Sequence, residues 1–228
     1  VRIAVVSGAS RGIGRATALE LARRGLGLAL IGRRSPELDA TVADALGAGA
    51  PVARTYSCDL ADAVATEQAA QELLAEHPSP EILVNNAAIA PRLPIEETTS
   101  ADWEQTLGVN LRAPFQLARA VVPSMRRARR GRILFVGSIS STLGTARQTA
   151  YVASKWGVVG LMKSLAEELR DSGVVTLAVL PGSTATRMLE GSGFPPRMTA
   201  EDVAQTIVHY ALDAPAAHAG GVIEMFGV

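Results

Sequence analysis

Residues 7–14 read S7-G-A-S-R-G-I-G14, and a short apolar run, I3-A-V-V6, leads directly into them. Glycines at 8, 12 and 14 permit a tight turn and let backbone approach a pyrophosphate closely. A helix starting here offers free N–H groups and a partial positive charge to the same anion. A glycine cluster by itself can also be a plain strand–helix turn. Its place behind the first strand of a parallel sheet is what turns it into a dinucleotide signal. The spacing is G-x-x-x-G-x-G, not the commoner G-x-G-x-x-G.

Outward from this turn, short apolar runs alternate with longer amphipathic ones. The short runs are I3–V6, L28–I31, V52–Y56, I82–V84, I133–V136, V174–L180 and V222–F226. Most are apolar throughout, as suits strands buried on both faces of a parallel sheet. Helices are predicted near 12–24, 36–47, 62–76, 101–128, 150–171 and 200–212, with Ser35-Pro36 as an N-cap followed by proline at the first helical position. The pattern predicts an α/β fold, a three-layer Rossmann-type, doubly wound parallel sheet of about seven strands. No linker, repeat or low-complexity segment divides residues 1–228, so one domain is expected. The least regular stretch, 183–199, follows a strand's carboxyl end. It reads as a substrate loop or, more plainly, as a mobile connection.

The charges balance at 22 basic and 22 acidic residues, so no global field draws nucleic acid or an anionic membrane. Aromatics are only 4%, which argues against a base-stacking surface. The single cysteine, Cys58, excludes an internal disulfide. His77, His209 and His218 are scattered without metal-ligand spacing, so no metal is expected. No apolar run reaches the length of a membrane span, and Val1–Val6 lacks the features of a signal peptide. A soluble, cytoplasmic protein is expected. The run M125-R-R-A-R-R-G-R132 ends a predicted helix, where cations complement the dipole, and is discounted as a nucleic-acid patch. Trp103 and Trp156 read as packing residues.

The second strand ends at I31-G-R-R34 with no acid at 32–34. An acid there would bind a ribose 2′-hydroxyl, whereas arginine accommodates a 2′-phosphate. Arg11 in the glycine turn and Arg33 together favour NADP over NAD, although Arg33 or Arg34 alone could be merely solvated. In C58-D-L60, Asp59 is a candidate for an adenine amino group. N85-N-A-A88 follows another strand and can also be a simple turn.

Ser138 ends the fifth strand, Tyr151 follows, and Lys155 stands one helical turn further on. Separately, these read as a cap and as surface decoration. Downstream of a nucleotide turn they suggest one site. Free tyrosine ionises near pH 10, too high for efficient acid–base work at neutrality. A cation alongside stabilises the phenolate, as does the start of a helix. Lys155 is that cation, Tyr151 the acid–base, and Ser138 a hydrogen-bond donor to a substrate oxygen. Asn110 adds a further point. Pro114 has no N–H, so the carbonyl four residues back, that of Asn110, loses its usual helical partner and needs another donor, such as a water leading toward Lys155. A Pro-bent helix with an indifferent asparagine is the plainer alternative.

S7-G-A-S-R-G-I-G14, N85-N-A-A88, Asn110, Ser138, Y151-V-A-S-K155 and Pro181-Gly182 occur in the order and spacing of the short-chain dehydrogenase/reductase family. Over nearly the whole chain the sequence resembles its single-domain branch, similar to 3-oxoacyl-acyl-carrier-protein reductases. The resemblance implies sheet order 3-2-1-4-5-6-7 and a catalytic tetrad of Asn110, Ser138, Tyr151 and Lys155. It implies cofactor contacts at Gly8, Ser10, Arg11, Gly12, Ile13, Gly14, Arg33, Asp59, Leu60, Asn86, Ala87, Ala88, Tyr151 and Lys155, and at Pro181, Gly182, Thr184 and Thr186. It also implies pairing of helices 101–128 and 150–171 into a homodimer or homotetramer. Three residues depart from the family pattern: Ser7 for threonine, Ala88 for the last glycine of Asn-Asn-Ala-Gly, and Thr184 for Val or Ile. None removes a reacting group.

The expected function is NADP-preferring oxidoreduction of a carbonyl and a secondary alcohol, on a small-molecule or acyl-thioester substrate. A sugar epimerase or dehydratase can share Tyr-x-x-x-Lys, but such chains carry a larger region than follows Gly182 here. A non-catalytic NAD(P)-binding sensor on the same fold is the competitor from another class.

Overall fold

Adjacent residues of the strands belong to opposite cores. In β1 (Ile3–Ser7), Ile3 and Val5 face one side, while Ala4 and Val6 face the other. Successive side chains of a strand alternate faces, so a run that is apolar at every position needs cover on both. The computed structural model, which describes residues 1–227, supplies it. β1, β2 (Gly27–Gly32), β3 (Ala53–Ser57), β4 (Ile82–Asn85), β5 (Gly131–Val136), β6 (Val174–Pro181) and β7 (Val222–Met225) form one sheet of order β3-β2-β1-β4-β5-β6-β7. Every neighbouring pair is parallel. One face packs α1 (Gly12–Arg23), α2 (Pro36–Gly47) and α7 (Ala200–Leu212). The other packs α3 (Ala63–Glu76), α5 (Ala113–Ala128) and α6 (Thr149–Glu168). This is the expected three-layer, doubly wound architecture, with the order that the family resemblance implies.

Local chemistry sets the helix starts. Ser35 Oγ accepts from the Leu38 N–H at 3.2 Å, with Pro36 beginning α2. Reciprocal bonds between Thr99 and Asp102 open α4 (Ser100–Leu107), and Thr199 and Asp202 do the same for α7.

The predicted helix over 101–128 is interrupted. Between α4 and α5 lies a π turn, Gly108–Arg112, where the Ala113 N–H reaches back five residues to the Gly108 carbonyl. Pro114 accounts for it: proline cannot donate to the Asn110 carbonyl, and its ring clashes with that oxygen in a regular α-helix. Widening the turn relieves the clash.

Trp156 departs from its expected packing role, being 53% exposed on α6. The arginine run is used as fasteners. Arg130 pairs with Glu81 at 2.9 Å, and Arg132 donates to the carbonyls of Tyr210 and Ala214. No helix among the described residues is long and apolar enough to cross a membrane.

Candidate active site

The carboxyl ends of the strands open into a cavity of about 1500 Å³. That exceeds the roughly 300–1,000 Å³ of a pocket for one drug-sized ligand, leaving room for a dinucleotide and a second molecule. The cavity wall draws together every residue expected at the site except Gly14 and Asn110.

Those two stand behind the wall. A Cβ on Gly14 would lie 2.2 Å from the Gly8 carbonyl oxygen and 2.4 Å from Asn86 Nδ2, so this glycine lets the first turn of α1 seat against the glycine loop and the β4 loop. Asn86 Nδ2 donates to the Ser7 and Gly8 carbonyls, both at 3.1 Å. The N–H groups of Asn86 and Ala87 donate to Ser7 Oγ at 3.0 and 3.1 Å. The hydroxyl that Ser7 shares with threonine is therefore in use. Asn86 lines the cavity, but its amide is spent on stapling two loops together.

Asn110 is fully buried. Its Oδ1 accepts from the Ile89 N–H at 2.9 Å, and its Nδ2 donates to the Ile89 carbonyl at 2.8 Å and to Ser154 Oγ at 3.0 Å. The side chain is thus not indifferent: it ties the β4 loop to α6 across the π turn.

At the phosphate end, α1 has no acid in its first turn and no side-chain cap, so its leading N–H groups face the cavity uncompeted. Gly8 and Gly12 adopt φ +69° and +54°, the left-handed region that glycine enters freely. A Cβ on Gly12 would meet Thr186 Cγ2 at 3.2 Å, which brings the loop after β6 against the glycine turn. Arg11 and Arg33 stand at one end of the cavity, and Asp59 holds its loop by accepting from the Ala61 N–H at 3.0 Å. On this donor set the cavity fits a dinucleotide: free helix N–H groups for a pyrophosphate, arginines for a further phosphate, and a carboxylate for an amino group.

Sequence reasoning missed four charged residues here, Glu37, Arg92, Asp102 and Arg187. Glu37 lines the cavity, and its own backbone N–H and the Ser35 hydroxyl hold its carboxyl below the usual range, aided by Arg11 and Arg187. An acid thus stands just beyond the 32–34 window, among the arginines. Arg187 and Arg92 come from loops whose paths no local pattern dictates. Cys58, at the same wall, is pushed up to about 11 by burial and by Asp59 and Asp62.

At the chemical end, Ser138 is both a cap and a lining residue. Its Oγ accepts from the Ser140 N–H at 3.1 Å, opening a short 3₁₀ turn. Tyr151 lies in the first turn of α6, buried, with Lys155 Nζ 5.7 Å from its ring centroid. Burial pushes the Tyr151 hydroxyl above its usual range, while a hydrogen bond with Ser138 and the charge of Arg92 pull it down. Lys155 Nζ donates to the Val136 carbonyl at 2.7 Å, and burial lowers the ammonium to about 8. The cation expected to act on the phenol thus stands beside the Tyr151 ring while bonded to β5, and Arg92 adds a second positive charge.

Comparison with known proteins agrees with this geometry. The model of the family described as short chain dehydrogenase matches residues 2–193. The 3-oxoacyl-[acyl-carrier-protein] reductase FabG of Escherichia coli (strain K12) is 37% identical over 188 residues, covering 82% of this chain and 75% of its own. The D-threitol dehydrogenase of Mycolicibacterium smegmatis is 36% identical over 187 residues, covering 82% and 72%. A solved metagenomic short-chain oxidoreductase in complex with NADP is 35% identical and superposes with a TM-score of 0.84, covering 99% of this chain and 96% of that one. The chain therefore belongs to the short-chain dehydrogenase family of NAD(P)-dependent oxidoreductases.

Proposed function

We propose that the protein interconverts a carbonyl and a secondary alcohol, preferring NADP, with Tyr151 as general acid–base. The observation that carries this reading is the convergence of Tyr151, Ser138 and Lys155 on the cavity that also holds the glycine turn, Arg11 and Arg33. Bound NADPH supplies the hydride. The chain's residues do the rest. Tyr151 hands its proton to the carbonyl oxygen and takes it back in the oxidative direction. Ser138 donates to the same oxygen as negative charge grows there. Lys155, cationic below about pH 8, stands beside the phenol and offsets the charge left on it. Asn110 keeps the β4 loop and α6 in register.

Arginines at 11 and 33 support NADP, as does the bound NADP in the metagenomic relative. The two named relatives act on an acyl-carrier-protein thioester and on D-threitol, so the substrate class is a small-molecule or acyl-thioester carbonyl. The chain works as a single domain with 183–199 as its substrate loop. Phe115 and Trp156, exposed on α5 and α6, support pairing of these helices into a homodimer or homotetramer.

The test is Tyr151→Phe. Turnover of a carbonyl panel, followed by NADPH absorbance, should vanish while NADPH binding stays nearly intact. Surviving turnover would remove Tyr151 from the chemistry.

A further inference from the structure

Arg92 sits in the loop after β4, where neither helix nor strand dictates its direction. Its Nη2 donates to the Met188 carbonyl at 2.6 Å and its Nη1 to the Glu190 carbonyl at 3.1 Å. These carbonyls lie nearly a hundred residues on, in the loop after β6. That loop is closed at its base, where the Ala185 N–H donates to the Met198 carbonyl and the Arg197 N–H to the Ser183 carbonyl, each at 2.8 Å. Between these fastenings, Arg92 is its cross-tie to the β4 side. Its Nε–H is buried without a partner among the described residues. Both outer nitrogens go to carbonyl oxygens and not to a carboxylate, and the guanidinium shares one cavity wall with Tyr151, Ser138 and Met188.

We infer that Arg92 is a positioning residue of this reaction: it latches the loop after β6 across the cavity and holds a fixed positive charge toward the Tyr151 hydroxyl. The inference rests on the proposed role of Tyr151. Lys155 Nζ stands 5.7 Å from the Tyr151 ring on the same helix, Arg92 of the β4 loop lines the same cavity as Tyr151, and the β5 loop brings the Ser138 hydroxyl. Arg187, on the β6 loop, lines the same cavity. The acids of the wall are Glu37 on α2, Asp59 after β3 and Asp102 on α4; Asp102 is turned back onto Thr99. Both cations favour the phenolate, but Lys155 is fixed to β5 by its bond to Val136, whereas Arg92 is held by the loop after β6, so its pull is the one that can vary with that loop. Loop closure and acidity thereby become one variable: when the latch opens, the charge leaves with it.

The test uses the protein without added ligand. Tyrosinate absorbance is titrated in the unsubstituted protein, Arg92→Met and Arg92→Lys, each with Tyr151→Phe subtracted, and amide exchange is followed over 186–193. In Arg92→Met the Tyr151 step should move to higher pH, and exchange of the loop should quicken about tenfold, the scale of losing charge-assisted hydrogen bonds. Arg92→Lys, which keeps the charge but cannot bridge two carbonyls, should quicken exchange with a smaller titration shift. An unmoved Tyr151 step in Arg92→Met, or unchanged loop exchange in both variants, overturns the inference. These readouts do not depend on turnover, so failure of the Tyr151 assignment shows separately, as activity remaining in Tyr151→Phe.

Discussion

Lys155 Nζ donates to the backbone carbonyl of Val136 at 2.7 Å, which ties a buried ammonium to the end of β5 with no acid beside it among the described residues. One hydrogen bond replaces only part of the water lost on burial. The ammonium is accordingly lowered to about 8, and the site holds a cation whose proton is loosely kept.

Lys155 therefore makes stability depend on pH. Its folded value, about 8, lies below its ordinary 10.5. Below pH 8 both states hold the proton and the cost of burying the charge is complete. Between 8 and 10.5 the unfolded chain binds more protons, so this residue's contribution rises with pH. Lys155→Met removes the dependence and leaves a constant offset from the lost bond to Val136. The stability of the variant relative to the unsubstituted protein should fall by about 2–3 kcal/mol between pH 7 and 10.5 in urea unfolding. A difference independent of pH would mean that Lys155 keeps an ordinary acidity.

Gly14 and Gly47 predict opposite outcomes for the same substitution. A methyl at Gly14 meets backbone and the Asn86 amide at 2.2–2.4 Å, so the glycine loop and the β4 loop must part. Gly14→Ala should cost about 1–3 kcal/mol, the scale of overpacking, and weaken NADPH binding. A methyl at Gly47, the last residue of α2, meets nothing within 4 Å. Gly47→Ala should be neutral or gain about 0.5 kcal/mol. Thermal unfolding with and without NADPH separates the two.

What could be read in advance follows from how local the cause is. Strands apolar at every position announced two covered faces, and the glycine turn announced its helix, because both are written in adjacent residues. The missing N–H of Pro114 was legible, and so was the trouble it makes for Asn110. The π turn that resolves it was not, since it also depends on Ile89 and Ser154 gripping the Asn110 amide. Arg92, Glu37 and Arg187 were missed for a related reason. Their places are set by where two or three loops meet, and no spacing along the chain records such a meeting. Trp156 was misjudged because apolar size alone does not say which face of a helix remains open.

At the cofactor's phosphate end, Arg11 faces an acid, Glu37, and Arg33 lines the same cavity. Arg33→Asp should weaken NADPH binding about tenfold or more and NADH much less, since only the 2′-phosphate loses a charge-assisted partner. Glu37→Gln should act the other way, strengthening NADPH by less than about fivefold, as befits an exposed charge screened by salt. Fluorescence titration with both nucleotides checks the pair. Equal losses for NADPH and NADH in Arg33→Asp would reassign the arginine to a part the two nucleotides share.

Pro114→Ala tests whether the π turn serves the site or merely tolerates a proline. Alanine restores an N–H at 114 and removes the ring, so an α-helical bond to the Asn110 carbonyl becomes available. Taking it would expel the extra residue of the turn and rotate Asn110 by about 100° around the helix axis. Its amide would then leave the Ile89 backbone and Ser154, and the β4 loop that carries Arg92 would lose its anchor. Unfolding free energy should hold steady or rise, because the gain in regular helix offsets hydrogen bonds worth about 1 kcal/mol each. Turnover should nevertheless drop severalfold, with faster amide exchange at Ile89. A variant with full turnover and unchanged exchange at Ile89 would show that the Asn110 side chain, and not the proline, holds the turn open; Asn110→Ala in the Pro114→Ala background should then collapse it.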